Sequence, residues 1–111
     1  MQENIRFIQA APDSGIIANT ATHHLNLETI KVEYGHNFNT LTIINNSTEE
    51  LSVKLDGRKV GYINGNGGSF GIDWKDGIVF DDVQITNEDA AASTAANEIR
   101  VIVGRTGQGV L

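Results

Sequence analysis

The sequence predicts an all-β protein: a single antiparallel β-sandwich, jelly-roll-like or immunoglobulin-like, of about eight short strands with an extended N-terminal arm. Three observations predict it. Short runs alternate apolar with polar residues, most clearly Leu51, Val53 and Leu55 against Ser52, Lys54 and Asp56. Turn signals separate these runs roughly every 8–12 residues. No stretch keeps a helical period long enough for a helix to stand alone. A chain of 111 residues with 40% apolar composition fits one domain with a thin two-layer core. Trp74 and six further bulky aromatics (Phe7, Tyr34, Phe38, Tyr62, Phe70, Phe80) are available to fill it.

Residues 1–24 are the least regular and read as an N-terminal arm or edge strand, with residues 25–111 as the sandwich. Ile5 to Ile8 suits a short strand, and Ala10 to Gly15 a turn containing the only proline. The apolar residues of the arm, Ile5, Phe7, Ile16 and Ile17, need a surface, either on this subunit or on a neighbour. Leu25 to Tyr34 reads as a strand with a change of phase near Thr29, as a bulge produces. Gly35-His36-Asn37 is a turn, and Phe38 to Asn45 a strand rich in Thr and Ile. A polar loop from Asn45 to Glu50 leads to the strand Leu51–Leu55. Asp56-Gly57, both tolerant of positive φ, makes a tight hairpin to a strand from Lys59 to Ile63.

Asn64 to Ser69 reads as a flexible glycine turn. Phe70, Ile72 and Trp74 then alternate with Gly71 and Asp73 on a core strand, with Trp74 as an inward anchor. After the Lys75-Asp76-Gly77 turn, Ile78 to Thr86 forms a strand with Val83 and Ile85 inward and Asp81, Asp82 and Gln84 outward. Asn87 to Asn97 is a longer connection dominated by alanine, in which Asn87 could cap a short helix with Glu88 and Asp89 in its first turn, although seven small residues are too few to hold a helix alone. Glu98 to Arg105 is the last strand, with Ile99, Val101 and Val103 on one face. Gly104 to Leu111 is a glycine-punctuated tail.

Composition excludes several classes of function. With no cysteine there is no disulfide, thiolate metal site or cysteine nucleophile, which fits a reducing cytoplasm. Net charge is −6 and the pI about 4.8, with seven acids in residues 73–111 against Lys75, Arg100 and Arg105. There is no basic stripe for nucleic acid. No apolar run approaches the roughly 20 residues that span a bilayer, and the N-terminus lacks the basic and apolar regions of a signal peptide.

The candidate chemistry is sparse. Gly65-Asn66-Gly67-Gly68-Ser69 lacks the following helix and the lysine of a phosphate loop, so it reads as an inter-strand turn. His23 and His24, adjacent on a strand, point to opposite faces and cannot easily share a metal. Asp73, Asp76, Asp81 and Asp82 do not match a calcium loop, and turn formation explains them. No nucleophile elbow or spaced carboxylate pair is present. The expectation is therefore a non-enzyme with no cofactor and no metal site.

The run Leu41-Thr42-Ile43-Ile44-Asn45-Asn46-Ser47, then Leu51 to Gly57 ending in Leu55-Asp56-Gly57, then Gly67-Gly68-Ser69-Phe70, then Phe80 to Asn87 with Ile85-Thr86-Asn87, then Ala96 to Val103, resembles small β-sandwich virion proteins of tailed bacteriophages. The likeness covers about residues 38–105 and consists of strand ends and turns. It implies a capsid decoration (cement) protein, a head-fibre-base protein or a small tail component, made in the host cytoplasm and located in the virion. The implied partners are the major capsid protein or another virion protein, and copies of the chain itself, as a homotrimer; neither nucleic acid nor membrane is implied. The residues expected at interfaces are Ile5, Phe7, Ile16, Ile17, Gly65, Asn66, Val110 and Leu111. The alternative is a carbohydrate- or calcium-dependent binding module using Trp74, Asp73, Asp76 and the 64–69 loop.

Overall fold

The computed structural model describes residues 6–10, 17–25, 27–28, 31–32, 38–95 and 98–105, with residues 6–10 and Trp74 described by their backbone. Among the described residues eight strands run in chain order: β1 Arg6–Ala10, β2 Thr22–His24, β3 Thr40–Asn45, β4 Leu51–Leu55, β5 Arg58–Ile63, β6 Gly68–Ile72, β7 Val83–Asn87 and β8 Ile99–Arg105. They form two four-stranded antiparallel sheets, ordered β1-β8-β3-β6 and β2-β7-β4-β5. β1 pairs with β8, β2 with β7, β3 with β6 and β4 with β5. The chain is thus one antiparallel ribbon folded at the β4–β5 turn. It is rolled so that β3 also meets β8 and β4 meets β7. That is a jelly roll rather than an immunoglobulin sandwich.

Alternation builds the core. Leu41, Ile43, Ile72, Ile99, Val101 and Val103 of the first sheet and Leu51, Val53, Leu55, Ile63, Val83 and Ile85 of the second join one buried cluster. Leu25, Leu27, Phe38 and Phe80 complete it from the connections. Phe38 and Phe80 exchange backbone bonds of 2.9 Å in both directions, and their rings sit 6.1 Å apart. The β4–β5 turn is as expected, with Asp56 and Gly57 at φ 51° and 82°.

Three expected elements differ. Leu25 and Leu27 are buried, but the described residues that follow form no strand: Glu28, Lys31 and Val32 are helical, and the Lys31 amide donates to the Leu27 carbonyl at 2.9 Å. Lys31, its side chain 13% exposed, pairs with Glu28 one turn away, while Val32 is 86% exposed. Burial of Leu27 and the Lys31 stem overrides the β-branched preference of the segment. The strand expected from Ile78 begins only at Val83, and Ile78 and Val79 are exposed. The Asp81 and Asp82 amides bind Asp56 Oδ1 at 2.9 Å each instead of extending a ladder. Among the described residues 88–95 no helix follows Asn87. Its side chain is buried, accepting from the Asp89 amide at 2.9 Å and donating to Ile17 O and Ala92 O at 3.0 and 2.9 Å.

Asn45 ends β3 in the same way. Its Nδ2 donates to the carbonyls of Glu49, Asn64 and Ile63 at 2.7, 3.2 and 3.3 Å, and its Oδ1 accepts from the amide and hydroxyl of Ser47 at 3.0 and 2.6 Å. Both asparagines stand at 0% exposure where the chain leaves one sheet for the other. Backbone groups that lose a ladder there need partners, and the side-chain amide supplies donor and acceptor together.

Replacing Asn45 with Ala leaves several buried groups unpaired and should destabilise the domain by about 3 kcal/mol in urea unfolding. The exposed neighbour Asn46→Ala serves as reference, and equal stability of the two variants would refute this role. In the other knot, the Ala91 and Ala92 amides, bound to Asp89 Oδ1 at 2.6 and 2.9 Å, hold the Asp89 carboxyl below its ordinary value of 3.8, with a contact to Glu49 acting in the same direction. A depressed folded pKa contributes stability above the unfolded pKa and loses it as pH falls through the folded one. Thermal unfolding across that acid range should therefore show the advantage of the wild type over Asp89→Asn shrinking as pH drops; a pH-independent difference would contradict it.

Candidate functional site

A sandwich exposes the backbone of its marginal strands, so its four edges are the first places to look for contacts. β5 is defended: a register shift between Val53 and Lys54 breaks its ladder, and Arg58 and Lys59 are exposed on it. β2 has three residues, and β1 carries Arg6. β6, Gly68-Ser69-Phe70-Gly71-Ile72, has no charge, no proline and an unbroken register with β3. It is the least defended edge among the described strands.

Phe70 and Ile72 face the core as expected, but as part of an edge rather than a central strand. The Phe70 ring fills the bare position of Gly61, where a Cβ would stand 3.1 Å from it. Asn64 to Gly67 lead into one end of β6. The Asn66 amide donates to Ser47 O at 2.7 Å and the Gly67 amide to Asn45 O at 2.8 Å, with φ of 60° and 97° at these residues. A Cβ on Gly65 would stand 2.8 Å from Ser47 O, and one on Gly68 2.2 Å from Asn64 O. Glycine at 65 permits close packing onto the 47–48 backbone, and glycine at 68 onto that of Asn64.

Past the other end of β6, Trp74–Asp76 form a 3-10 turn, and Asp76 Oδ2 accepts the Asp73 amide at 2.9 Å. Here lies an open groove of ≈ 350 Å3, between Thr40, Leu41 and Thr42 of β3, Gly71 and Ile72 of β6, and the two aspartates. Thr40 is 6% exposed, and its Oγ1 has no hydrogen-bond partner. Gly71 leaves the floor open, since a Cβ there would meet only Leu41 O at 3.7 Å. Neither Thr40 nor Gly71 stood out in the sequence. Two glycines in a five-residue strand were the available signal for a bare, approachable backbone.

Of the residues expected at interfaces, Ile5, Ile16, Val110 and Leu111 lie outside the described residues, as do His36, Tyr34 and the Trp74 side chain. The Phe7 backbone pairs with Gly104 in β1; its side chain is outside the description. Ile17 is a correction. It is 2% exposed inside this domain's own core, and its amide and carbonyl bind Thr94 at 2.8 and 3.1 Å. Gly65 is half-buried and Asn66 exposed on the turn beside β6. The 64–69 loop and Asp73/Asp76 flank opposite ends of five-residue β6, about 15 Å apart at the rise of a strand, so they do not converge on one centre.

Other polar groups are engaged locally. Asp82 binds His24 Nε2, and Asp56 binds backbone. On the outer face of the second sheet Lys59 Nζ donates to Tyr62 Oη at 3.2 Å and lies 3.7 Å from Glu88, which also accepts from Ser52. The Tyr62 contact chiefly, with Glu88 behind it, holds the Lys59 ammonium above its usual range. Among the described residues no group of three or more His, Asp or Glu is placed to hold a metal. Comparison with family models, curated proteins and solved structures finds no match.

Gly65→Ala should cost about 1–3 kcal/mol, because its Cβ meets backbone that cannot yield cheaply. Gly71→Ala should stay within about 0.5 kcal/mol of wild type. Thermal unfolding of the pair decides; equal losses would show that close approach is not what reserves position 65 for glycine.

Proposed function

We propose that this chain is a non-enzymatic structural protein of a tailed-bacteriophage particle, a capsid decoration or cement protein that acts as a homotrimer on the major capsid protein or another virion protein. The observation that carries the assembly part is the undefended edge of β6, a row of backbone donors and acceptors on an uncharged strand. The virion part rests on the resemblance of residues 38–105 and on the jelly roll, an architecture shared by capsid, lectin and cupin domains, which makes it a fold-level analogy. An acidic surface suits a protein that must stay soluble at high local concentration before it docks.

Light scattering after size exclusion tests the assembly. The expected result is a trimer at micromolar concentration for the wild type and a monomer of unchanged melting temperature for Ser69→Lys, which places a charge on the β6 edge. A monomeric wild type at all concentrations, or a trimer indifferent to Ser69→Lys, would sink assembly through β6. Phage capsid and portal genes beside the gene for this chain would support the virion assignment; their absence would count against it.

A further inference from the structure

We propose that the groove beyond β6 receives the guanidinium of an arginine side chain from a binding partner. Two independent features meet there. The first is Thr40, a residue of the groove wall that is 6% exposed and whose buried hydroxyl has no hydrogen-bond partner. A buried hydroxyl left unpaired costs stability, and a ligand that brings a donor recovers that cost on binding. The second is charge: Asp73 and Asp76 border the groove, and none of its described lining residues is basic.

The complementary ligand donates several hydrogen bonds, carries positive charge and has a flat apolar body. A guanidinium has five N–H donors in a planar fork and no acceptor, and it is weakly hydrated for a cation. It can pair with Asp76 and, once the Thr40 hydroxyl turns toward the groove, with Oγ1 as well, its faces lying along the floor that Gly71 leaves open. An exposed carboxylate alone would add little; the buried hydroxyl is what favours a ligand with donors to spare. Asp76 keeps its cap on the Asp73 amide through Oδ2 while Oδ1 turns to the ligand. The inference rests on the assembly reading only for the partner being a protein.

Amide chemical-shift titration of the labelled full chain with N-acetylarginine methylamide tests it, with methyl glucoside, calcium chloride and sodium chloride of matched ionic strength as parallel arms. Saturable shifts are expected for the amides of Thr40, Thr42, Gly71 and Asp73 with the arginine probe. Asp76→Asn, which retains an oxygen for the Asp73 cap, should weaken binding about tenfold. Gly71→Leu fills open space and should abolish it. Thr40→Val should weaken binding while leaving the melting temperature equal or higher, an outcome a structural threonine would not give. No saturable shift, shifts unchanged in Asp76→Asn and Gly71→Leu, or larger shifts of the same amides with glucoside or calcium would overturn the proposal. Repeating the titration on Ser69→Lys reads the groove on its own, whether or not the wild type assembles.

Discussion

The fold depends on what happens to backbone polar groups where the chain changes sheets. Among the described strands only the β4–β5 turn stays within one sheet; every other pair of consecutive strands lies in different sheets. Each crossing strips amides and carbonyls of ladder partners near an apolar core, where an unpaired group costs on the order of 1–3 kcal/mol. Asn45 meets this demand at the end of β3, binding the 47–49 loop and the 63–64 segment through one side chain. Asn87 meets it at the end of β7, tying the arm at Ile17 to the 89–92 loop. Asp56 performs the same task for the β6–β7 connection. Three short side chains with fixed reach thus hold five segments that share no strand pairing.

These knots shape the surface as well. The 64–67 turn lies against the backbone that Asn45 organises, which sets the start of β6 at the margin of its sheet. Facing it in the other sheet, β5 carries a bulge and two cations, so the two edges on that side of the sandwich differ in chemistry. The β5 edge is guarded against an added strand, and the β6 edge is not. The groove follows from the same layout: β6 ends at Ile72, the 3-10 turn swings Asp76 back to the Asp73 amide, and Gly71 contributes no side chain to fill the space before Thr42.

Much of this was legible in the sequence wherever a period reported burial directly. Leu51, Val53 and Leu55, and Ile99, Val101 and Val103, point inward as their alternation requires. Asp56-Gly57 announced its turn. Legibility failed where a side chain replaced a ladder. Ile78 and Val79 have strand chemistry, but Asp56 removes the neighbouring amides from any pairing, and a contact between residues 25 apart leaves no local trace. Asn87 carries the signature of a helix cap because capping and its actual role use the same bond, a side-chain oxygen accepting an amide two residues on. The repeated Ile-x-Asn at the ends of β3 and β7 was visible as a pattern, but its meaning needed the sheet topology. The β6 edge was hidden for a related reason: apolar alternation tells that a strand has a buried face, not how many neighbours it has.

The acidic character of the chain has an equally local explanation, and that narrows where recognition can occur. Asp56 and Asp89 bind backbone amides, Asp82 binds His24, and Glu88 answers Ser52 and Lys59. A carboxylate so engaged is already compensated and offers a ligand little. Asp76 differs, because it caps the Asp73 amide through Oδ2 alone and also lines the groove with Thr40. Most of these acidic groups thus serve local structure, and the groove at one end of β6 is where the proposed recognition would draw on the rest of the net charge of −6. That end adjoins the edge strand with the fewest barriers to pairing, so a partner strand laid along β6 would carry its side chains past the groove, and backbone pairing and charge would select together.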